Sequence, residues 1–141
     1  MKYWDASAIV PLLTRQTFTE PMQKILIQDG EVITWWGSSL ECYSALMRLI
    51  REGKLTGSQQ LIAEQRFTAL QNGWEEVMPT ETVRRITRRL LRTHPLRAAD
   101  ALQLAAALTA CEQDPDRFDM VCLDSRLAEA AQREGFVVLG N

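Results

Sequence analysis

The chain has 141 residues, of which 46% are hydrophobic and 24% charged, and its formal net charge is −2. A length of this order buries one sizeable core, so a single domain over residues 1–141 is expected. The near-neutral balance does not suggest a general nucleic-acid binder, although a local basic stripe is compatible with it. No apolar run approaches the ~20 residues of a membrane-spanning helix. The start also lacks the basic-then-apolar pattern of a signal peptide, so a cytoplasmic protein without membrane contact is expected.

In chain order, Lys2–Asp5 reads as a strand and Ser7–Leu13 and Thr19–Gln28 as helices. A strand at Glu31–Trp35 is followed by helices at Ser38–Arg51 and Ser58–Asn72. A third strand at Glu75–Met78 precedes helices at Glu81–Arg92 and Ala98–Glu112. The chain closes with a strand at Asp119–Leu123, a helix at Ser125–Arg133 and a strand at Phe136–Leu139. Gly30, Gly53, Gly73 and Gly135 stand at the element ends, and Pro79 and Pro95 mark further breaks. Such β-α alternation predicts an α/β fold of three layers, α/β/α, around a parallel sheet of about five strands. Right-handed crossovers gather the strand C-termini along one edge, where open α/β sheets bind ligands.

Four acids fall at that edge. Asp5 ends the first strand, Glu41 lies in the first turn of SSLECYSAL, Asp100 in the first turn of LRAADALQLAAAL, and Asp124 ends MVCLD. Each has a structural role open to it. Asp5 and Asp124 suit helix N-caps. Ser38 and Glu41 fit a capping box, and Asp100 suits a helix dipole. Together they raise a charge problem, because two carboxylates ~4 Å apart repel by roughly 4 kcal/mol at an effective dielectric of about 20. They must take up protons or bind a cation. Cys42, Cys111 and Cys122 form no C-x-x-C pair, and His94 is the one histidine, so any metal would be held by oxygen. Such a donor set favours Mg²⁺ or Mn²⁺ and suits phosphate chemistry.

WDASAIVPLL, SSLECYSALMRLIREGKL, LRAADALQLAAAL and FDMVCLDSRLAEAAQREGFVVL together resemble the PIN-domain ribonucleases, above all the VapC-type toxins of toxin–antitoxin pairs. The resemblance implies a PIN-like α/β/α fold and a Mg²⁺- or Mn²⁺-dependent endoribonuclease that cuts RNA with an activated water. It carries Asp5, Glu41, Asp100 and Asp124 over as catalytic residues and metal ligands, with Asp5 and Asp100 the principal ones. It also implies a small cognate antitoxin and a homodimer. Two departures stand out: Cys122 occupies a slot often held by a small hydroxyl residue, with Ser125 the candidate substitute, and Leu102-Gln103 stands where many relatives carry histidine. Asp119, at the start of its strand, is expected to lie away from the edge.

Arg84, Arg88 and Arg92 recur at a spacing of four along one helix and lead toward Arg97. They read either as a track for RNA phosphates or as a solvated face paired with Glu75, Glu76 and Glu81. Ser7 is a candidate contact to a ligand or to a neighbouring carboxylate. Trp35-Trp36 reads as core or interface packing, with base stacking the other use. A phosphohydrolase acting on small esters, or a PIN-like binding module without activity, are the competing functions.

Overall fold

In the computed structural model, which describes residues 1–141, the first strand, β1 (Lys2–Trp4), sends Tyr3 and Trp4 into two different hydrophobic cores. That is the period-two alternation of a strand buried on both faces. The elements that follow are α1 (Ala6–Leu13), α2 (Thr19–Asp29), β2 (Val32–Trp35), α3 (Ser38–Arg51), α4 (Gly57–Gly73) and β3 (Glu75–Val77). Then come α5 (Glu81–Thr93), α6 (Ala98–Ala110), a 3-10 turn (Pro115–Arg117), β4 (Asp119–Val121), α7 (Ser125–Arg133) and β5 (Val138–Leu139). No helix is long and apolar enough to cross a membrane.

The strands form one five-stranded sheet in the order β3-β2-β1-β4-β5, and every pair is parallel. The chain builds outward from β1 through β2 to β3, then crosses back to lay β4 and β5 on the other side. The direction of build therefore reverses beside β1, the place where such sheets open a crevice. Tyr3, Trp35, Met120 and Cys122 face α5, α6 and α7, whereas Trp4, Val32 and Val121 face α1 to α4. In α6, Ala101, Ala105, Ala106 and Ala107 are wholly buried, and small side chains let that helix lie close on the sheet.

Several element ends differ from the sequence expectation. β1 stops at Trp4, because the Asp5 side chain accepts from Ser7 N–H and caps α1. β4 stops at Val121, short of Leu123. Phe136 belongs to a helix cap and not to β5: its N–H donates to Ala131 and that of Gly135, at φ 105°, to Gln132. This is a Schellman motif, with the buried Phe136 as its hydrophobic contact. The same motif ends α6 at Ala110, with Glu112 at φ 54° in the place glycine usually takes. The capping box expected at Ser38 is absent: Gly37 is the cap residue of α3, without a side-chain bond. A capping box does start α4, between Thr56 and Gln59. The tryptophan pair divides, with Trp35 buried in the core and Trp36 exposed.

Candidate active site

At the C-terminal edge of the sheet lies a cleft of about 440 Å³ whose walls include Asp5, Glu41, Asp100 and Asp124. Each acid arrives by a different route. Asp5 follows β1 and is almost fully buried, and Asp124 follows the neighbouring strand β4. Asp5 N–H donates to Val121 O at 3.0 Å, so these two strand ends are tied side by side. Glu41 sits in the first turn of α3, from one helical layer, and Asp100 in the first turn of α6, from the other. The capping roles of Asp5 and Asp124 are real as well: Ser7 N–H donates to Asp5 Oδ2 at 3.1 Å and Leu127 N–H to Asp124 Oδ1 at 3.0 Å. Capping and lining the cleft are compatible, because each carboxylate engages one oxygen and keeps the other.

A polar scaffold orients the acids from behind. Ser7 Oγ donates to Asp5 Oδ2 and accepts from Leu123 N–H at 2.9 Å, pinning the end of β4 to α1. Gln103 Nε2 donates to Glu41 Oε2 at 2.6 Å and to Ser38 Oγ at 2.9 Å. Tyr3 Oη donates to Gln103 Oε1 at 2.6 Å. The Ser38 and Thr34 hydroxyls share a bond of 2.6 Å, and Thr34 Oγ1 reaches Trp4 O at 2.7 Å. Ser38 is thus absorbed into a buried network, which is why it cannot serve as a cap.

The cleft is electrostatically loaded. Burial, with added repulsion from Asp100 and Asp124, pushes the Asp5 carboxyl up to about 6 against the pull of its bonds from Ser7. Burial, with Asp5 and Asp100, pushes Glu41 up to about 7, although the Gln103 bond opposes this. Asp100 is raised by burial and then by Asp124, and lowered by Arg97 and Arg126. Cys122, wholly buried 3.7 Å from Asp5 Oδ2, is kept a thiol first by burial and then by the Asp5 charge.

The remaining candidates fall outside the cleft wall, Ser7 excepted. Arg97 is the exposed residue before α6, Ser125 is exposed at the start of α7, and Arg88 and Arg92 are exposed on α5. The α5 stripe is partly spent on neighbours, since Arg84 pairs with Glu81 at 3.0 Å and Arg89 with Glu134 at 2.8 Å. Asp119 starts β4, at the far end from the cleft. Two residues were not anticipated. Arg48 lines the cleft seven positions after Glu41 on the same face of α3, a spacing that could have flagged it. In the sequence Gln103 stands out only as a departure from the family pattern, and nothing there pairs it with Glu41.

Residues 2–133 match the model of the PIN domain. The chain belongs to the PIN domain family. Two curated relatives, Ribonuclease VapC45 and Ribonuclease VapC49 of Mycobacterium tuberculosis, are each 33% identical to it over 106 residues, 75% of this chain and 74% of theirs. As the side chains of this PIN domain stand, no three His, Cys, Asp or Glu groups are clustered so as to hold a metal ion. The carboxylates are turned instead toward their protein partners, Ser7, Gln103 and Leu127. The chemistry of the donor set nevertheless fits a hard divalent cation: the wall offers oxygen only, and its acids hold charge that burial and mutual repulsion penalise.

Proposed function

We propose that the protein is a Mg²⁺- or Mn²⁺-dependent endoribonuclease, the toxin of a type II toxin–antitoxin pair, which hydrolyses RNA phosphodiester bonds with an activated water. The observation that carries this reading is the gathering of Asp5, Glu41, Asp100 and Asp124, from four separate parts of the chain, in one cleft at the sheet edge. The names of the two Mycobacterium tuberculosis relatives support it. Asp5 and Asp100 would be the principal ligands of the ion, with Glu41 a ligand or acting through water and Asp124 acting through water or with a second ion. When bound, the ion lowers the pKa of a water and neutralises charge on the phosphate. Ser7 fixes the Asp5 carboxylate and Gln103 that of Glu41. Arg48 and Arg97 meet RNA phosphates at the cleft mouth, with Ser125, Arg88 and Arg92 farther out.

A small cognate antitoxin occupies the groove beside the cleft, and two copies of the chain pair. The exposed Leu40, Tyr43, Leu61 and Ile62 of α3 and α4 supply apolar surface for such contacts. Incubation of the purified protein with a mixed RNA pool in Mn²⁺, Mg²⁺ or EDTA tests the activity. Metal-dependent cuts that fall about 100-fold or more in Asp100→Asn are expected. The folded stability of that variant should be equal or higher, because Asp100 accepts no hydrogen bond and feels Asp124. Cleavage only of a small chromogenic phosphate ester would make it a phosphohydrolase, and no cleavage of either would leave a binding module.

A further inference from the structure

Beside the acid cleft the molecule carries a second cavity, of about 340 Å³. Its walls are His94 and Pro95, from the α5–α6 connection, and Arg126, Glu129, Ala130 and Arg133 of α7. Those four positions of α7 recur at the spacing of one helical face. The helix itself begins at Asp124, which lines the acid cleft, so this face leads away from the reacting centre. Arg126 is exposed, has no carboxylate within ion-pair distance, and stands close enough for its charge to act on Asp100. It stands two residues after Asp124, which lines the acid cleft, and itself lines the second cavity. Arg133 is held only by Glu129, in an exposed i,i+4 pair at 2.8 Å, an easily exchanged partner.

The back of this cavity is built firmly. The His94 side chain is 3% exposed, and its Nε2 lies 2.7 Å from Glu134 Oε2. Arg89 grips the same carboxylate with two nitrogens, at 2.8 and 3.3 Å. His94 Nδ1 is buried without a hydrogen-bond partner, a rare condition in a packed protein. A cavity of this size suits a small ligand group, and a guanidinium fork at its mouth matches the geometry of a phosphate.

We propose that this second cavity is a phosphate subsite for the RNA substrate, in which Arg126, joined by Arg133 on release from Glu129, binds a nucleotide flanking the cut. The assignment rests on the nuclease reading of the acid cleft. The place of Arg126 two residues after Asp124, with its charge acting on Asp100, favours RNA over an acidic peptide, whose carboxylates the acid cleft would repel. The subsite also adds α7 to the basic surface that the exposed Arg88 and Arg92 of α5 offer.

The test is cleavage of a short labelled RNA in Mn²⁺, with each phosphate in turn replaced by an uncharged methylphosphonate. Wild type is compared with Arg126→Ala, Arg126→Lys and Arg133→Ala, with Arg117→Ala, which lines neither cavity, as control. Arg126→Ala should lower kcat/KM by about tenfold or more, through KM. The slope of log kcat/KM against log salt should fall by about one. One methylphosphonate next to the cut should cost wild type a similar factor and cost Arg126→Ala nothing more, with Arg126→Lys intermediate and Arg117→Ala unchanged. If wild type cuts RNA and Arg126→Ala cuts it equally well, or if the losses multiply at every phosphate, the subsite is overturned and the nuclease stands. Intact cleavage with weakened binding of an acidic peptide would overturn it in favour of a peptide site. A folded wild type that cuts no RNA removes the nuclease reading and the subsite with it.

Discussion

An amide is costly to bury, because its two donors and its acceptor all need partners, and Gln103 is 1% exposed. It finds all three in Tyr3, Ser38 and Glu41, and so joins the core beneath the sheet to an acid on its edge. The Glu41 bond is the one that bears on function. A carboxylate already pushed up to about 7 by burial would rise further without that donor and would be free to turn away from the cleft. Replacing Gln103 by leucine should therefore act twice. It takes the acceptor away from the buried Tyr3 hydroxyl, which costs about 1–3 kcal/mol, and it should lower cleavage by releasing Glu41. Urea unfolding and the RNA assay read the two effects separately. A Gln103→Leu protein of undiminished stability would show that this network is not a strong one. Ser7 does for Asp5 what Gln103 does for Glu41, but from the neighbouring helix, and it ties Leu123 to the same point.

The turn from β2 into α3 decides where Glu41 stands. A Cβ at Gly37 would fall on the indole ring of Trp35, so only glycine lets the helix start this near the strand. Trp35 is buried against β2 and α6 neighbours and has little room to give. Gly37→Ala should then destabilise the fold by about 1–3 kcal/mol, the usual cost of overpacking. It should also reduce cleavage by displacing the first turn of α3, and thermal melting with the RNA assay checks both. The alternation of strands and helices was legible in the sequence because each element carries its own periodicity, and so were the four acids at the edge. The element ends were less legible. Phe136 looked like strand because it is apolar, yet it serves the cap of α7. Glu112 carries no glycine to announce the end of α6. Ser38 and Glu41 had the spacing of a capping box, but Thr34 and Gln103 compete for them across the fold. Arg48 and Gln103 were missed for the same reason: local patterns show which residues share a face, and only tertiary packing shows what that face meets.

Two helical layers and the reversal beside β1 bring acids from opposite sides of the sheet to one edge, and the whole molecule bears the electrostatic cost. The sign follows from the raised carboxyls. Asp5 ordinarily titrates at 3.8 and is pushed up to about 6, and Glu41 at 4.5 is pushed up to about 7. Between about pH 4 and 7 the folded protein therefore holds more protons than the unfolded chain, and stability falls as pH rises through that window. The contribution of these groups is full below the unfolded values and lost above the folded ones, about 3 kcal/mol for buried Asp5 and less for half-exposed Glu41. Glu134, held low by Arg89, works in the opposite direction and only at the acid end. A divalent ion held as proposed would reverse the loss by binding the ionised carboxylates, and saturation at about 1,000 times its Kd would stabilise by about 4 kcal/mol. In EDTA, Tm should fall between pH 5 and pH 8 by several degrees. Mn²⁺ should restore it at pH 8 and hardly change it at pH 5, where the site is protonated. Asp5→Asn should flatten the EDTA curve and melt higher than wild type at pH 8, since it removes the most deeply buried of the four charges while an amide oxygen still accepts from Ser7. A Tm in EDTA that stays level or climbs from pH 5 to pH 8 would mean that the cleft bears no such cost, and that nothing in it calls for a cation.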